Sequence, residues 1–128
     1  MMGKMDEQNF IEQNGIYVID PENPKYPTSI HKVRKKLPKI YHIGQLFEYD
    51  DCIAVVGTRK CSENGQLFAQ NIGKLLSENN YKVVSGLAKG IDAFAHSGCL
   101  ENNGLTIAVL AWFHELSPKS NQELLEKI

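Results

Sequence analysis

Two strand–loop–helix segments in series constrain the fold of this chain more than any other feature. They occupy residues 53–79 and 83–102, and a third apolar run follows at residues 106–110. In each segment a short apolar run ends in a loop of small residues, and the loop opens a helix. Strands that alternate with helices through short connections predict a parallel sheet. We therefore expect an α/β fold, a Rossmann-like parallel sheet with helices on both faces and a small N-terminal extension.

The helices of this region have recognisable ends. An apolar stripe over residues 63–79 predicts the first helix, with Ser62 as its N-cap and Glu63 in its first turn. The second helix is predicted over residues 90–102. A last helix is predicted from Ser120, because Ser120 and Glu123 have capping-box spacing.

The pattern before residue 53 is less regular. Residues 1–14 are polar and are expected to form a flexible N-terminus. Short strands are predicted at residues 16–19 and 40–43, with a short helix over residues 28–37 that Pro38 ends. We predict one domain over residues 15–128.

Composition excludes several classes of protein. The chain has 128 residues, 42% of them hydrophobic, and a net charge of −1. It has no apolar run of the roughly 20 residues that a membrane helix needs and no secretory signal, so we expect a cytoplasmic protein that does not bind membranes. Three cysteines without CxxC pairing predict reduced thiols and no metal site; they are Cys52, Cys61 and Cys99.

The loops after the first two strands form the predicted binding site. Parallel strands bring these loops to one edge of the sheet, where ligands of such folds bind. Small-residue loops at helix N-termini present backbone N–H groups to anions. The candidate phosphate-binding residues are Gly57, Thr58, Arg59, Ser85, Gly86, Lys89 and Gly90.

Two cations are the strongest candidates within these loops. The Arg59 guanidinium can form paired hydrogen bonds with a phosphate, or can instead form a surface ion pair with Glu63. Lys89 suits a phosphate as a point charge, or is a solvated surface lysine. The hydroxyls of Ser85 and Thr58 can bind phosphate or cap their own loops.

Three further residues are possible supporting contacts. Asp92 is interpreted as a loop-organising residue or a contact to a base or sugar hydroxyl. His96 lies one turn further along the same helix and is expected to pair with Asp92. Trp112, beside Phe113 and His114, can stack on a base, fill the pocket or form a dimer contact.

A basic run lies outside the predicted sheet. Four cations occupy five positions, namely Lys32, Arg34, Lys35 and Lys36. Such a run either extends a phosphate-binding track or is one solvated face.

The two glycine loops belong to a longer series of motif residues that runs from about residue 16 to the end. This series comprises Tyr26, Pro27, Ile40, Tyr41, Gly44, Val55, Val56, Gly57, Thr58, Arg59, Ser62, Gly65, Val83, Val84, Ser85, Gly86, Leu87, Ala88, Gly90, Ile91, Asp92, Ala95, His96, residues 106–110, Pro118, Asn121, Leu124 and Ile128. In these residues the sequence resembles the DprA/Smf family of DNA-processing proteins, and the two glycine-loop blocks carry most of the resemblance.

The resemblance implies a function without catalysis. It implies binding of single-stranded DNA, DNA uptake in transformation, and loading of a RecA-type recombinase by a homodimer. It assigns DNA contacts to the loop around Arg59 and to the loop that contains Lys89. No cofactor is expected.

The sequence departs from the family pattern in two places. A glycine-rich turn and a Tyr-Pro step are usual after the third strand, where this chain has residues 111–115 and Ser117–Pro118. A full family core also continues beyond the position of Ile128, so the chain is either a naturally short relative or a fragment.

Two other functions stay open at this point. One is a sensor or processing enzyme for a small nucleotide, although the PGGxGTxxE, GxGxxG and P-loop patterns are absent. The other is a truncated interaction module whose altered third loop binds no ligand.

Overall fold

The computed structural model describes residues 4–46, 48, 50–111 and 121–128. The chain divides into two compact units, residues 1–50 and 51–128. We describe each unit by itself, and a single domain over residues 15–128 stays a prediction. Among the described helices, none has the length and apolar character needed to cross a lipid bilayer.

The described residues of the first unit form two helices and a two-stranded antiparallel sheet. In chain order these are α1 (Lys4–Gln13), β1 (Tyr17–Ile19), α2 (Thr28–His31) and β2 (Ile40–His42). Strand β1 pairs with β2 in the register Val18 to Tyr41. The buried side chains include Tyr26, whose hydroxyl donates to the carbonyl oxygen of Pro38 at 2.8 Å.

Two helices of this unit were not predicted with their observed bounds. Helix α1 lies within residues 1–14, with Gln8 bonded to Glu12 one turn later, and the flexibility of this N-terminus stays a prediction. Helix α2 ends at His31, well before Pro38. Its N-terminal N–H groups at Thr28 and Ser29 donate to the Glu48 carboxylate, which lies 20 residues away from Thr28 and gives no local signal in the sequence.

The second unit contains the predicted parallel sheet. Its elements are β3 (Cys52–Ala54), α3 (Glu63–Glu78), β4 (Lys82–Ser85), α4 (Ile91–Glu101), β5 (Thr106–Ala108) and α5 (Gln122–Lys127). The strand order is β3-β4-β5, and both pairings are parallel. The predicted α/β class, with a parallel sheet flanked by helices, is confirmed.

The strands and helices begin and end close to the predicted positions. The Ser62 hydroxyl accepts a hydrogen bond from the N–H of Gly65 at 3.1 Å, as an N-cap should. Strands β3 and β5 are shorter than the apolar runs that predict them. Helix α5 begins at Gln122 with Asn121 at the N-cap position; the predicted N-cap, Ser120, lies outside the described residues.

Helices α3 and α4 pack against each other and against β4, so both lie on the same face of the sheet. Crossover connections between parallel strands are nearly always right-handed. When the strands also follow one another in sequence order, successive helices therefore lie on the same side of the sheet. The second helix layer of the predicted fold is therefore not formed by these two helices. Their shared core contains Val83, Ala95 and Cys99, with Val55 and Leu76 beside them.

Candidate nucleic-acid interface

Two loops meet at the carboxyl edge of the parallel sheet. The first loop, residues 55–62, follows β3, and the second loop, residues 86–90, follows β4. The N–H of Ile91 donates to the carbonyl oxygen of Thr58 at 3.2 Å, which joins the end of the second loop to the first. Gly90 has φ +85°, and a Cβ there would lie 2.7 Å from the carbonyl oxygen of Arg59. The loops can approach this closely only with glycine at position 90.

Asp92 connects both loops through its side chain. This residue is 7% exposed and lies in the first turn of α4. Its Oδ1 accepts from the N–H of Gly57 at 3.2 Å, and its Oδ2 accepts from the N–H of Gly86 at 3.1 Å. The carboxylate thus holds the two loops in one arrangement, in agreement with its interpretation as a loop-organising residue.

These bonds change the expected use of the glycine loops. Backbone N–H groups of these loops are predicted to bind a phosphate, and those of Gly57 and Gly86 already donate to Asp92. A bound anion at this edge would have to use other donors. Gly57 and Gly86 remain predicted contacts of a phosphate, because without side chains they allow the phosphate to come close to the backbone.

The loop hydroxyls also have internal partners. The Ser85 side chain is buried, and its hydroxyl donates to the carbonyl oxygen of Val55 at 2.5 Å. The Thr58 hydroxyl accepts from the N–H of Lys60 at 3.3 Å, which is the loop-capping alternative. A phosphate contact by either hydroxyl stays a prediction, and in Ser85 it would require loss of the bond to Val55.

Arg59 and Lys89 project from the two loops into solvent. Both are exposed, and within the described part of the chain neither forms an ion pair or hydrogen bond. The alternative pairing of Arg59 with Glu63 is not observed. Two unpaired cations on adjoining loops, with Lys60 beside them, give this edge a positive local charge although the chain as a whole carries −1.

His96, one turn beyond Asp92 in α4, has a different partner from the predicted one. The Thr106 hydroxyl donates to the carbonyl oxygen of Val83 at 2.9 Å, so it accepts from His96, whose Nδ1 lies 2.6 Å away. The imidazole therefore carries its proton on Nδ1. Both Asp92 oxygens accept from the loops, and Thr106 takes the place that was expected for Asp92 as the partner of His96.

Burial controls the protonation of this imidazole. The side chain is fully buried, and Nε2 has no hydrogen-bond partner among the described residues. Burial lowers the pKa of His96 to about 4, and the nearby Asp92 carboxylate acts in the opposite direction. A neutral, inward-facing ring of this kind supports the fold of the site and does not contribute a positive charge to it.

One residue that positions the second loop was not a predicted site residue. Asn121 donates from its side-chain amide to the carbonyl oxygen of Leu87 at 2.8 Å. The bond spans 34 residues, so spacing in the sequence could not identify it. The predicted aromatic contacts at Trp112, Phe113 and His114 lie outside the described residues. In the remainder, no group of three or more His, Cys, Asp or Glu could hold a metal ion.

Comparisons with known proteins agree on one family. Residues 17–128 match the family model described as DNA recombination-mediator protein A. Protein Smf from Synechocystis is 35% identical over 123 residues, which cover 91% of this chain and 31% of that protein. DNA processing protein DprA from Streptococcus pneumoniae is 44% identical over 79 residues, which cover 59% of this chain and 27% of that protein.

A solved structure has the same fold. The X-ray structure of DprA from Streptococcus pneumoniae superposes with a TM-score of 0.74 and 28% identity, over 93% of this chain and 43% of that one. The chain spans about a third of the length of the curated relatives that it matches. The matched residues include both glycine loops and the helices that they open. The chain therefore belongs to the DprA/Smf family, described as DNA recombination-mediator protein A.

Proposed function

We propose that this chain binds single-stranded DNA at the edge formed by its two glycine loops and catalyses no reaction there. The observation that carries the proposal is a pair of exposed cations, Arg59 and Lys89, that have no ion-pair partner among the described residues and lie on loops that Asp92 holds together. A cation that forms no ion pair can bind phosphate oxygens without first having to break one. The names of its relatives, DNA processing protein and DprA, supply the choice of DNA as the polyanion.

Titration of a fluorescent oligothymidylate tests this proposal. We expect Arg59→Ala to weaken binding about tenfold, because a hydrogen bond to a charged group contributes roughly 1.5 kcal/mol. The affinity of Arg59→Lys should lie between those of the wild type and Arg59→Ala, since lysine keeps the charge but cannot form the paired hydrogen bonds of a guanidinium. Lys89→Ala should weaken binding further when added to Arg59→Ala.

Lys74→Ala is the matched control for these variants. Lys74 is exposed on α3 and lies outside both loops, so its replacement should change affinity less than twofold. Wild-type protein that binds no oligonucleotide at 50 mM salt would contradict the proposal. A mononucleotide that raises the melting temperature strongly, without oligonucleotide binding, would favour the small-nucleotide alternative instead.

The proposal includes the family's implied partners. We propose a homodimer that acts in the cytoplasm and assists a RecA-type recombinase on the bound strand. Faster recombinase assembly on an oligonucleotide in the presence of this chain supports that role. An unchanged assembly rate at saturating protein would remove the recombinase from the proposal and leave DNA binding in place.

A further inference from the structure

We propose that a second surface of this chain binds the phosphate backbone of single-stranded DNA independently of the glycine loops. This surface, the basic segment, is residues 31–37 of the first unit. The inference rests on the proposed function for the identity of the ligand. It adds a binding site that lies wholly outside the two loops.

The basic segment concentrates the positive charge of its unit. Residues 1–50 contain seven lysines and arginines, and four of them lie within residues 32–36. The same unit contains seven carboxylate side chains. The cations are therefore segregated into one stretch of a unit that is otherwise acidic, and their mutual repulsion favours an anionic partner.

Within the described part of the chain, no carboxylate neutralises any of these four side chains. Lys32, Arg34, Lys35 and Lys36 are all exposed, and none forms an ion pair within the described residues. Lys39, three positions further, does pair with Asp20 at 3.7 Å. The positions that line the basic segment are thus left available, whereas a cation just outside it is paired.

The basic segment surrounds a depression and does not project as a ridge. The depression has a volume of about 540 Å³. Cations around a concave surface reinforce one another's potential and attract a chain of phosphates better than scattered lysines do. Its lining residues are His31, Lys32, Val33, Arg34, Lys35 and Leu37.

The segment also offers a flat ring for a base. The His31 side chain is exposed at the depression, and its ring packs edge-on against Tyr26 with a centroid separation of 5.5 Å. Bases of single-stranded nucleic acids stack on exposed aromatic rings, histidine included. This ring favours a nucleic acid over a lipid surface, and the segment after His31 forms no helix that could insert an apolar face into a bilayer.

Stabilisation of α2 is the simpler explanation for basic residues here. Cations near a helix C-terminus interact favourably with the helix dipole, within its last turn. Helix α2 has four residues, and Lys32 already stands at its C-cap position. The three cations beyond Lys32 are not accounted for in this way.

The test compares two triple variants of equal charge in the full chain. Lys32→Gln/Arg34→Gln/Lys35→Gln removes the cations of the depression. Lys25→Gln/Lys74→Gln/Lys127→Gln removes three exposed cations elsewhere. Binding of a fluorescent 20-nucleotide oligothymidylate is measured between 50 and 200 mM salt, and circular dichroism melts check that both variants fold.

We expect the first triple variant to bind at least tenfold more weakly at 50 mM salt, and the control to change less than twofold. The slope of log affinity against log salt should flatten by about 2 in the first variant, since each lost phosphate contact removes roughly 0.7 on a single strand. His31→Ala should weaken binding without changing that slope, because stacking involves no counterion release.

Several results would overturn the inference, and they are separable from failure of the glycine-loop site. If the two triple variants bind the oligonucleotide with equal affinity, the basic segment is rejected as a binding site. The glycine-loop site is then retained if Arg59→Ala/Lys89→Ala weakens binding. If only the first triple variant weakens binding and Arg59→Ala/Lys89→Ala does not, the basic segment is retained and the glycine-loop site is rejected. If the first triple variant loses binding to phosphatidylserine vesicles and keeps its binding to the oligonucleotide, the basic segment binds lipid and the inference is overturned.

Discussion

The Asp92 carboxylate binds two backbone N–H groups, one from Gly57, 35 residues earlier in the chain, and one from Gly86, 6 residues earlier. A carboxylate is suited to this position because it offers two acceptor oxygens and no donor. The loops that carry Arg59 and Lys89 are thereby positioned by one side chain that need not contact the ligand. At the scale of single residues, Asp92 is the positioning residue of the proposed site.

Asp92→Asn should separate the two loops without removing a cation. Asparagine has one acceptor oxygen, so either Gly57 or Gly86 loses its partner and meets an N–H₂ group. We expect the free energy of unfolding to fall by about 1 kcal/mol, the net contribution of one hydrogen bond, because both bonds to Asp92 are only partly buried. Oligonucleotide affinity should fall as well, although Arg59 and Lys89 are intact.

Amide hydrogen exchange at the two glycines measures this effect directly. One of the Gly57 and Gly86 amides should exchange faster in Asp92→Asn than in wild type. Asp51→Asn is the matched control, since Asp51 is exposed and has a positive φ that asparagine tolerates. Unchanged exchange at both glycines would show that Asp92 does not hold the loops.

His96 predicts a pH dependence of stability. Its pKa is about 4 in the folded protein against 6.5 for a free imidazole. Between these values the unfolded chain binds more protons than the folded chain, so stability is full above pH 6.5 and falls as the pH drops towards 4. The expected loss is about 3 kcal/mol.

Urea denaturation from pH 7 to pH 4 tests the His96 prediction. His96→Gln should be less stable at pH 7 and should lose less stability over this range than wild type. His31→Gln, which removes an exposed imidazole, should keep the wild-type dependence. A pH dependence that is the same in wild type and in His96→Gln would contradict the assignment to His96.

At the scale of elements, the contact between α3 and α4 depends on two glycines. An ideal Cβ on Gly98 would lie 2.7 Å from the carbonyl carbon of Gln70, and one on Gly73 would lie 3.0 Å from the backbone nitrogen of Cys99. The helices therefore approach through their backbones. This contact packs α3 against the helix that carries Asp92 in its first turn.

Gly98→Ala should destabilise the protein, whereas helix propensity alone predicts the opposite sign. Alanine is favoured over glycine by about 1 kcal/mol inside a helix. The steric conflict with Gln70 should outweigh this gain and cost roughly 1–3 kcal/mol. Asn71→Ala, on an exposed position of α3, is the control and should stabilise slightly. The midpoint of urea denaturation shows whether Gly98→Ala is less stable than the wild type, as the steric conflict predicts, or more stable, as helix propensity predicts.

At the scale of the whole molecule, the proposed homodimer can be tested through an exposed apolar side chain. Val109 follows β5, an outer strand of the described sheet, and is 58% exposed. Outer strands with exposed apolar residues favour pairing between chains. We expect sedimentation velocity to show a dimer that Val109→Asp weakens. Val33→Asp, at an exposed valine of the first unit, is the control, and a monomer at all concentrations would reject the dimer.

Much of the second unit could be predicted from the sequence because its signals are local. The apolar stripe and the Ser62 cap predict α3 to within one residue of its end, and α4 is equally close. The first unit was harder, since α1 is polar and α2 is capped by Glu48 from a distant part of the chain. Distant partners leave no periodicity to detect.

The amino-acid sequence by itself determined the α/β class, the positions of both glycine loops, and the resemblance to the DprA/Smf family. These depend on side-chain periodicity, capping and short motifs, which act over a few residues. Only the tertiary structure decided that Gly57 and Gly86 donate to Asp92, that Thr106 partners His96, and that Arg59 does not pair with Glu63. Those outcomes depend on which groups meet in space, because a hydrogen bond forms over about 3 Å whatever the separation along the chain.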